Sequence, residues 1–158
     1  MATMTAPSQQ TRTRSTYTFS RPQGPLVVDV WDAAEPTGAS PILLIHGWGG
    51  TGSYWEETAR KLSATNQVIV PDLPGTGRSQ PVKPAQNMFD QVDTLAFILD
   101  ELELDRVQVV GHSMGGAMSL LLTDIRPTRI ERIVLTSLTF FRTVEQERIY
   151  RAVMRGFQ

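Results

Sequence analysis

Val107-Gln108-Val109-Val110-Gly111-His112-Ser113-Met114-Gly115-Gly116-Ala117-Met118-Ser119-Leu120-Leu121-Leu122 is the stretch on which the fold of this chain turns. It opens on β-branched apolar residues and closes on helix formers. The spacing predicts a strand over Arg106–Val110 and a helix running from Gly116 to about Ile125, where Pro127 stops it. A serine set between glycines where a strand turns directly into a helix is the context of a nucleophile elbow. Such a turn holds the serine in a strained backbone conformation. Gly111 and Gly115 remove Cβ atoms that would meet neighbouring backbone. The Ser113 hydroxyl then stands at a helix N-terminus, where free N–H groups and the helix dipole favour developing negative charge. Ser113 is therefore the candidate nucleophile, with Gly111 and Gly115 as its supports.

Working toward the N-terminus, Ile42–Ile45 is four apolar residues in a row, the pattern of a strand buried on both faces. His46-Gly47-Trp48-Gly49-Gly50 follows it. Alone, this is either a tight glycine turn with a satisfied core histidine or a loop that presents backbone amides. Beside an elbow it matches the second half of an oxyanion hole, which pairs the N–H after the nucleophile with one from such a loop. The candidate donors are the backbone amides of Met114 and Trp48. Gly47 and His46 support them, the histidine ring turned into its surroundings. Ser53-Tyr54-Trp55-Glu56 has the form of a capping box and predicts a helix to about Leu62. Trp48 and Tyr54 either line an acyl pocket or simply pack, and Trp55 packs beneath the helix.

Gln67–Val70 reads as the next strand. Asp72-Leu73-Pro74-Gly75-Thr76-Gly77-Arg78-Ser79 follows it and superficially resembles a phosphate cradle. It lacks G-K-[ST], and no helix starts after its glycines, so it reads as a structural loop. Asp72 is accordingly not assigned as a catalytic carboxylate. Phe89, Val92, Leu95, Ala96, Leu99 and Leu102 recur at helical spacing between Asn87 and Leu102. The acidic run Asp100–Asp105 is its solvated end. Met114, Met118, Leu121 and Leu122 form a core stripe. Ile130–Thr136 is a further strand, and Thr143-Val144-Glu145-Gln146 caps a last helix, read as the start of a cap or lid over 141–158.

Thr16–Phe19 and Leu26–Trp31 read as two strands joined by a turn. Residues 1–15 are polar and read as a disordered tail. Alternating strands and helices over about 16–140 predict an α/β domain with a mostly parallel, doubly wound sheet. In such sheets binding groups lie beyond the carboxyl ends of the strands. All three glycine motifs fall there.

The chain has 158 residues, a formal net charge of −1 and no cysteine. That charge gives no footprint for nucleic acid or for acidic membranes. Disulfides and thiolate chemistry are excluded. No stretch has the length and apolarity of a membrane span, and the first residues lack the apolar run of a secretory signal, so a cytoplasmic location is expected. No metal or cofactor is expected.

Taken together, His46-Gly47-Trp48-Gly49-Gly50, Asp72-x-x-Gly75-x-Gly77-x-Ser79 and Gly111-His112-Ser113-Met114-Gly115-Gly116 resemble the motifs of the α/β-hydrolase fold superfamily, serine-hydrolase type. The resemblance covers about residues 16–140 and is to the N-terminal portion of such proteins. It implies the superfamily and not a substrate, since the same signatures appear in esterases, lipases, cofactor-free peroxidase-like enzymes, carbon–carbon bond hydrolases and acyltransferases. The leading expectation is a hydrolase acting on a small ester-like carbonyl substrate. Dehalogenase and epoxide-hydrolase relatives carry Asp at the nucleophile position, where this chain has Ser113. The family's triad runs Ser, then Asp or Glu, then His. This chain has only two histidines, His46 and His112, and none after Ser113. His112 neighbours Ser113 on a tight turn, where side chains diverge. Asp124 and Glu131 lie away from strand carboxyl ends, and Ser137, where some relatives place the acid, is not acidic. The expectation is half an active site on a sheet that lacks its last strands, with low activity for this chain alone. The competing expectation is a truncated, non-catalytic binding or interaction protein. Its unpaired Ile130–Thr136 edge would invite another chain, a second copy included.

Overall fold

The computed structural model describes residues 13–138 and 143–155. A hairpin opens the fold: β1 (Arg14–Arg21) pairs antiparallel with β2 (Gly24–Trp31) in full register from Arg14 opposite Trp31 to Arg21 opposite Gly24. Both strands are longer than their apolar cores suggest, because the two-residue turn lets the ladder run to its ends. Then come β3 (Ile42–Ile45), α1 (Glu56–Leu62), β4 (Val68–Pro71), α2 (Met88–Glu101), β5 (Val107–His112), α3 (Met114–Ile125), β6 (Ile130–Thr136) and α4 (Val144–Arg155). The sheet order is β1-β2-β4-β3-β5-β6. β4, β3, β5 and β6 are mutually parallel, and β2 meets β4 antiparallel. This is the expected α/β architecture, with β6 at one edge among the described residues.

The period-2 alternation of buried strands sorts the core into two layers. Leu43, Ile45, Ile69, Val107 and Val109 face one side, where they pack with Val92, Leu95, Ile98 and Leu99 of α2 and Met118 and Leu122 of α3. Ile42, Leu44, Val68 and Val70 face the other, against Trp55 and Ala59. Each β3 residue is therefore buried whichever way it points, which is why that strand is uniformly apolar. Trp55 and the Met118/Leu122 stripe sit where the sequence places them.

The capping box expected at Ser53–Glu56 is not formed. Residues Gly52–Trp55 make a 3-10 turn, and α1 starts only at Glu56 with no side-chain cap. Ser53 Oγ instead meets Thr51 Oγ1 at 2.7 Å. A capping box does open α2: Asn87 accepts from the Phe89 and Asp90 amides, and Asp90 accepts from the Asn87 amide. At the opposite end of the sheet from the elbow, Arg129 ties α2 to the start of β6 through the carbonyls of Leu99 and Leu104 and the Asp100 carboxylate. Residues 1–12 of the expected tail, 139–140 of the expected core, and 141–142 and 156–158 of the expected cap segment lie outside the described residues, while Arg14 and Ser15 of the expected tail belong to β1, where they pair with β2. Within the cap segment, the Gln146 amide donates to Thr143 Oγ1 at 3.2 Å, capping α4. Among the described residues no helix is long and apolar enough to cross a membrane.

Candidate active site

Ser113 stands between β5 and α3 with φ 53° and ψ −116°. This is a positive-φ conformation that a residue with a side chain adopts only when its surroundings over-determine it. Here they do. The Ser113 amide donates to the Thr136 carbonyl at 2.8 Å, and its carbonyl accepts from the Gly116 amide at 2.9 Å. The flanking glycines are required sterically. A Cβ at Gly111 would strike the carbonyl of Gly115 and the hydroxyl of Ser119. A Cβ at Gly115 would strike the Ile45 and His46 carbonyls. α3 is thus pressed against the end of β3, and the His46–Gly50 loop against the elbow.

The contact between the two loops is close. A Cβ at Gly47 would lie 3.2 Å from the Ser113 Cβ and 3.1 Å from His112 Nδ1. Trp48 follows, its side chain 79% exposed. Gly49 turns the chain with φ 72°, and the Gly50 amide closes the turn onto the Gly47 carbonyl at 3.1 Å. Among the described residues neither the Met114 nor the Trp48 amide donates to any group of the chain. Two unsatisfied amides, one on each side of the loop contact, are what an oxyanion hole needs.

His46 is fully buried. Its Nε2 accepts from the Leu73 amide at 3.1 Å, so Nδ1 carries the proton and donates to the Gly47 carbonyl at 2.8 Å. Burial lowers its pKa, against the opposing pull of the Gly47 carbonyl and Asp72. His46 is thus a neutral strut with both ring nitrogens in use. The His112 ring stacks on Tyr54 with centroids 5.1 Å apart. Tyr54 remains 57% exposed, so it both packs and faces outward. Asp124 lies near the far end of α3, and Glu131 sits at the amino end of β6, accepting from Ser40 Oγ at 2.6 Å.

One feature escaped the sequence reading. Asp29, in β2, is only 4% exposed and anchors a charge network. Its carboxylate accepts from Thr16, from Arg14 at 2.6 Å and from both terminal nitrogens of Arg78. Arg78 also reaches Asp72 through Nε at 2.7 Å. Burial would raise the pKa of each carboxylate, but the Arg78 hydrogen bonds, with others, outweigh it and hold both below the ordinary value. Arg78 is correspondingly held further toward its charged form, chiefly by Asp29. The signal was available: Leu26-Val27-Val28-Asp29-Val30-Trp31 puts a carboxylate in an otherwise apolar strand, and a buried charge requires a partner. A cavity of about 280 Å³ adjoins this network and is lined by none of Ser113, Met114 or Trp48. It belongs to the ion pairs, whose polar atoms are already matched. Among the described residues no cluster of His, Asp and Glu is arranged to hold a metal.

Residues 40–158 match the model of the alpha/beta hydrolase fold family. The chain belongs to this family. Among curated relatives it is 42% identical over 100 residues to the 2-hydroxy-6-oxo-2,4-heptadienoate hydrolase of Pseudomonas putida, a match covering 61% of this chain and 36% of that protein. It is 33% identical over 105 residues to the dihydrolipoyllysine-residue acetyltransferase component of the acetoin cleaving system of the same species, covering 66% and 28%. The chain thus spans about a third of the length of these relatives. Among solved structures it superposes on a serine hydrolase of Cycloclasticus zankles with a TM-score of 0.69 and 25% identity, covering 78% of this chain and 45% of that one.

Proposed function

We propose that this alpha/beta hydrolase fold chain carries the nucleophile and oxyanion hole of a serine hydrolase acting on ester-like carbonyl substrates. Ser113 Oγ attacks the carbonyl carbon, and the amides of Met114 and Trp48 receive the oxygen as it becomes negative. The observation that carries this reading is the positive-φ Ser113 at the β5–α3 junction, packed against Gly47. The serine-hydrolase structural neighbour and the 2-hydroxy-6-oxo-2,4-heptadienoate hydrolase relative support a hydrolase reading. No cofactor is required. Neither histidine of the chain is placed as the base: His46 has both nitrogens bonded, and His112 flanks the serine on a stacked ring. This reading assigns the nucleophile and the oxyanion donors and leaves the base and its acid unassigned.

The test is covalent. A fluorophosphonate phosphonylates an activated serine, and the oxyanion hole alone retains about 10³–10⁴-fold rate enhancement when triad members are missing. Slow but selective modification is expected on the peptide bearing Ser113, and none there in Ser113→Ala. Labelling spread evenly over the exposed serines would overturn the proposal.

A second reading has its own observation. β6 pairs only with β5 among the described residues, and Val134 on it is 49% exposed. An unpaired edge with an apolar face suits pairing with a second copy of this chain. Light scattering after size exclusion separates the two readings: a dimer abolished by Val134→Lys supports association, and a monodisperse monomer removes it.

A further inference from the structure

The Asp72–Ser79 loop was read from sequence as structural, yet its contacts converge on the segment that bears Trp48. That segment, residues 46–52, is loose by composition, with glycines at 47, 49, 50 and 52. Glycine leaves the backbone the widest range of conformations, so such a stretch does not hold an amide in place by itself. Its two ends are nevertheless fixed, and both fixings come from the same loop. At one end the Leu73 amide donates to His46 Nε2 at 3.1 Å. At the other the Gly52 amide donates to Asp72 Oδ1 at 2.6 Å.

The loop that grips is itself braced. The Asp72 amide donates to the Val27 carbonyl, and Ser79 Oγ bridges the Asp72 carbonyl and the Val27 amide. The second carboxylate oxygen of Asp72 accepts from Arg78 Nε and from the Arg78 amide at 3.0 Å. Arg78 is in turn fixed by Asp29 of β2. Gly77 lets the carboxylate lie across the loop, since a Cβ there would fall 2.7 Å from the Asp72 Cγ. Nothing in this arrangement touches Ser113.

We propose that Asp72 is a positioning residue of the oxyanion hole: with the Leu73 amide it clamps residues 46–52 at both ends and so fixes the Trp48 N–H against Ser113. This rests on the serine-hydrolase reading above. Oxyanion donors act through geometry, and a displacement of about 1 Å costs on the order of 10²-fold in rate. Without the carboxylate, Gly52 loses its acceptor and the glycine-rich segment is anchored at His46 only.

Fluorophosphonate kinetics at Ser113, on the protein and its variants, decide the matter. Asp72→Ala is expected to slow the covalent step at least tenfold at unchanged reagent affinity. Asp72→Asn keeps an acceptor for Gly52 while losing the charge that pairs with Arg78, so it is expected to regain most of the rate while remaining less stable to urea. Asp72→Ser replaces Asp72→Ala should the latter not fold, with the same slowing expected. Arg129→Ala, which unties α2 from β6 away from the serine, is expected to lose stability without loss of rate. Labelling of folded Asp72→Ala or Asp72→Ser at the parental rate overturns the clamp, as does equal slowing in Arg129→Ala. Amide hydrogen exchange supplies a readout independent of the serine. Faster exchange confined to residues 47–52 in the Asp72 variants supports the clamp, and unchanged exchange there overturns it. If Ser113 is inert in the unaltered protein, the hydrolase reading fails and exchange alone decides whether Asp72 holds the loop.

Discussion

The Ser113 amide donates to the Thr136 carbonyl at 2.8 Å, so the elbow hangs from the last residue of β6. Thr136 Oγ1 reaches the Gly111 carbonyl from the same strand end. The strained serine is therefore held by the neighbouring strand as well as by its own helix. Backbone strain of this kind costs about 1–3 kcal/mol.

Ser113→Gly should relieve that strain. Glycine adopts φ 53° freely, though it gives back about 0.5–1 kcal/mol in chain entropy. The net expectation is a gain of about 1 kcal/mol in unfolding free energy, read from urea denaturation, with complete loss of covalent labelling. Ser113→Ala should lose labelling without the gain. A Ser113→Gly variant less stable than Ser113→Ala by about 0.5–1 kcal/mol would show that the serine is unstrained.

Gly111→Ala and Gly115→Ala act oppositely, because each adds a methyl group against backbone that cannot swing away, and at Gly111 against the Ser119 hydroxyl as well. Overpacking of this kind typically costs about 1–3 kcal/mol. Both substitutions should lower the urea midpoint. Gly38→Ala meets no atom within 4 Å and is strained only by its φ of 75°, so it should cost less than either. A Gly115→Ala midpoint equal to the parent's would mean that α3 and the end of β3 are less tightly apposed than they are here.

The elbow and the two-faced sheet were legible because each rests on local pattern. Gly111-His112-Ser113-Met114-Gly115 needs only its own strand and helix to be recognised, and Ile42–Ile45 announces its burial by lacking any polar residue. The first turn before α1 was misread because Ser53 and Glu56 fit the capping-box spacing, while the sequence does not reveal that the Gly52 amide is claimed by Asp72, twenty residues away. The stacking of His112 on Tyr54 is likewise a tertiary fact, joining the end of β5 to the 3-10 turn before α1. The Asp29–Arg78–Asp72 network lay between these cases. Asp29 advertised a buried charge, but its partners are distributed over β1 and the loop after β4.

Stability should fall in two stages as the solution is acidified. His46 is held below its ordinary value of 6.5 by burial, so the unfolded chain takes up that proton first. Wherever the unfolded state binds more protons, stability rises with pH. The contribution of neutral His46 is therefore complete above 6.5 and erodes below it. Asp29 and Asp72 are held below 3.8, so their contribution is complete above that value and is lost as pH falls further. Urea midpoints between pH 8 and pH 5 should decline in the parent and flatten in His46→Gln, whose amide oxygen can still accept from Leu73. An undiminished slope in that variant would assign the first stage elsewhere.

Removing Arg78 should be costly even though its own side chain is partly exposed. Asp29 and Asp72 are 4% and 2% exposed, and they would face each other's surroundings without their shared cation. Breaking a fully buried pair costs about 3–5 kcal/mol, and the exposure of Arg78 lowers the expectation for Arg78→Met to about 2 kcal/mol. Asp29→Asn in the Arg78→Met background should cost less than in the parent, because the charge it removes has already lost one of its two cationic partners and keeps only Arg14. Additive losses in that double-mutant cycle would mean the two residues do not interact.

Turnover of an activated aryl ester such as p-nitrophenyl acetate distinguishes attack from catalysis. If Ser113 and the Met114 and Trp48 amides act as proposed, with His46 and His112 held in their other contacts, the first attack should be slow and release of the acyl group slower. Loss of triad members costs on the order of 10⁴–10⁶ in kcat in subtilisin. The 158-residue chain should therefore show a rate above that of buffer, sensitive to Ser113→Ala, yet far below the median enzyme kcat of about 10 s⁻¹. A kcat near that median, abolished by Ser113→Ala, would mean that His112 leaves its stack on Tyr54 and serves as the base. His112→Gln would then remove the activity, while Tyr54→Ala, which frees the ring, would raise it.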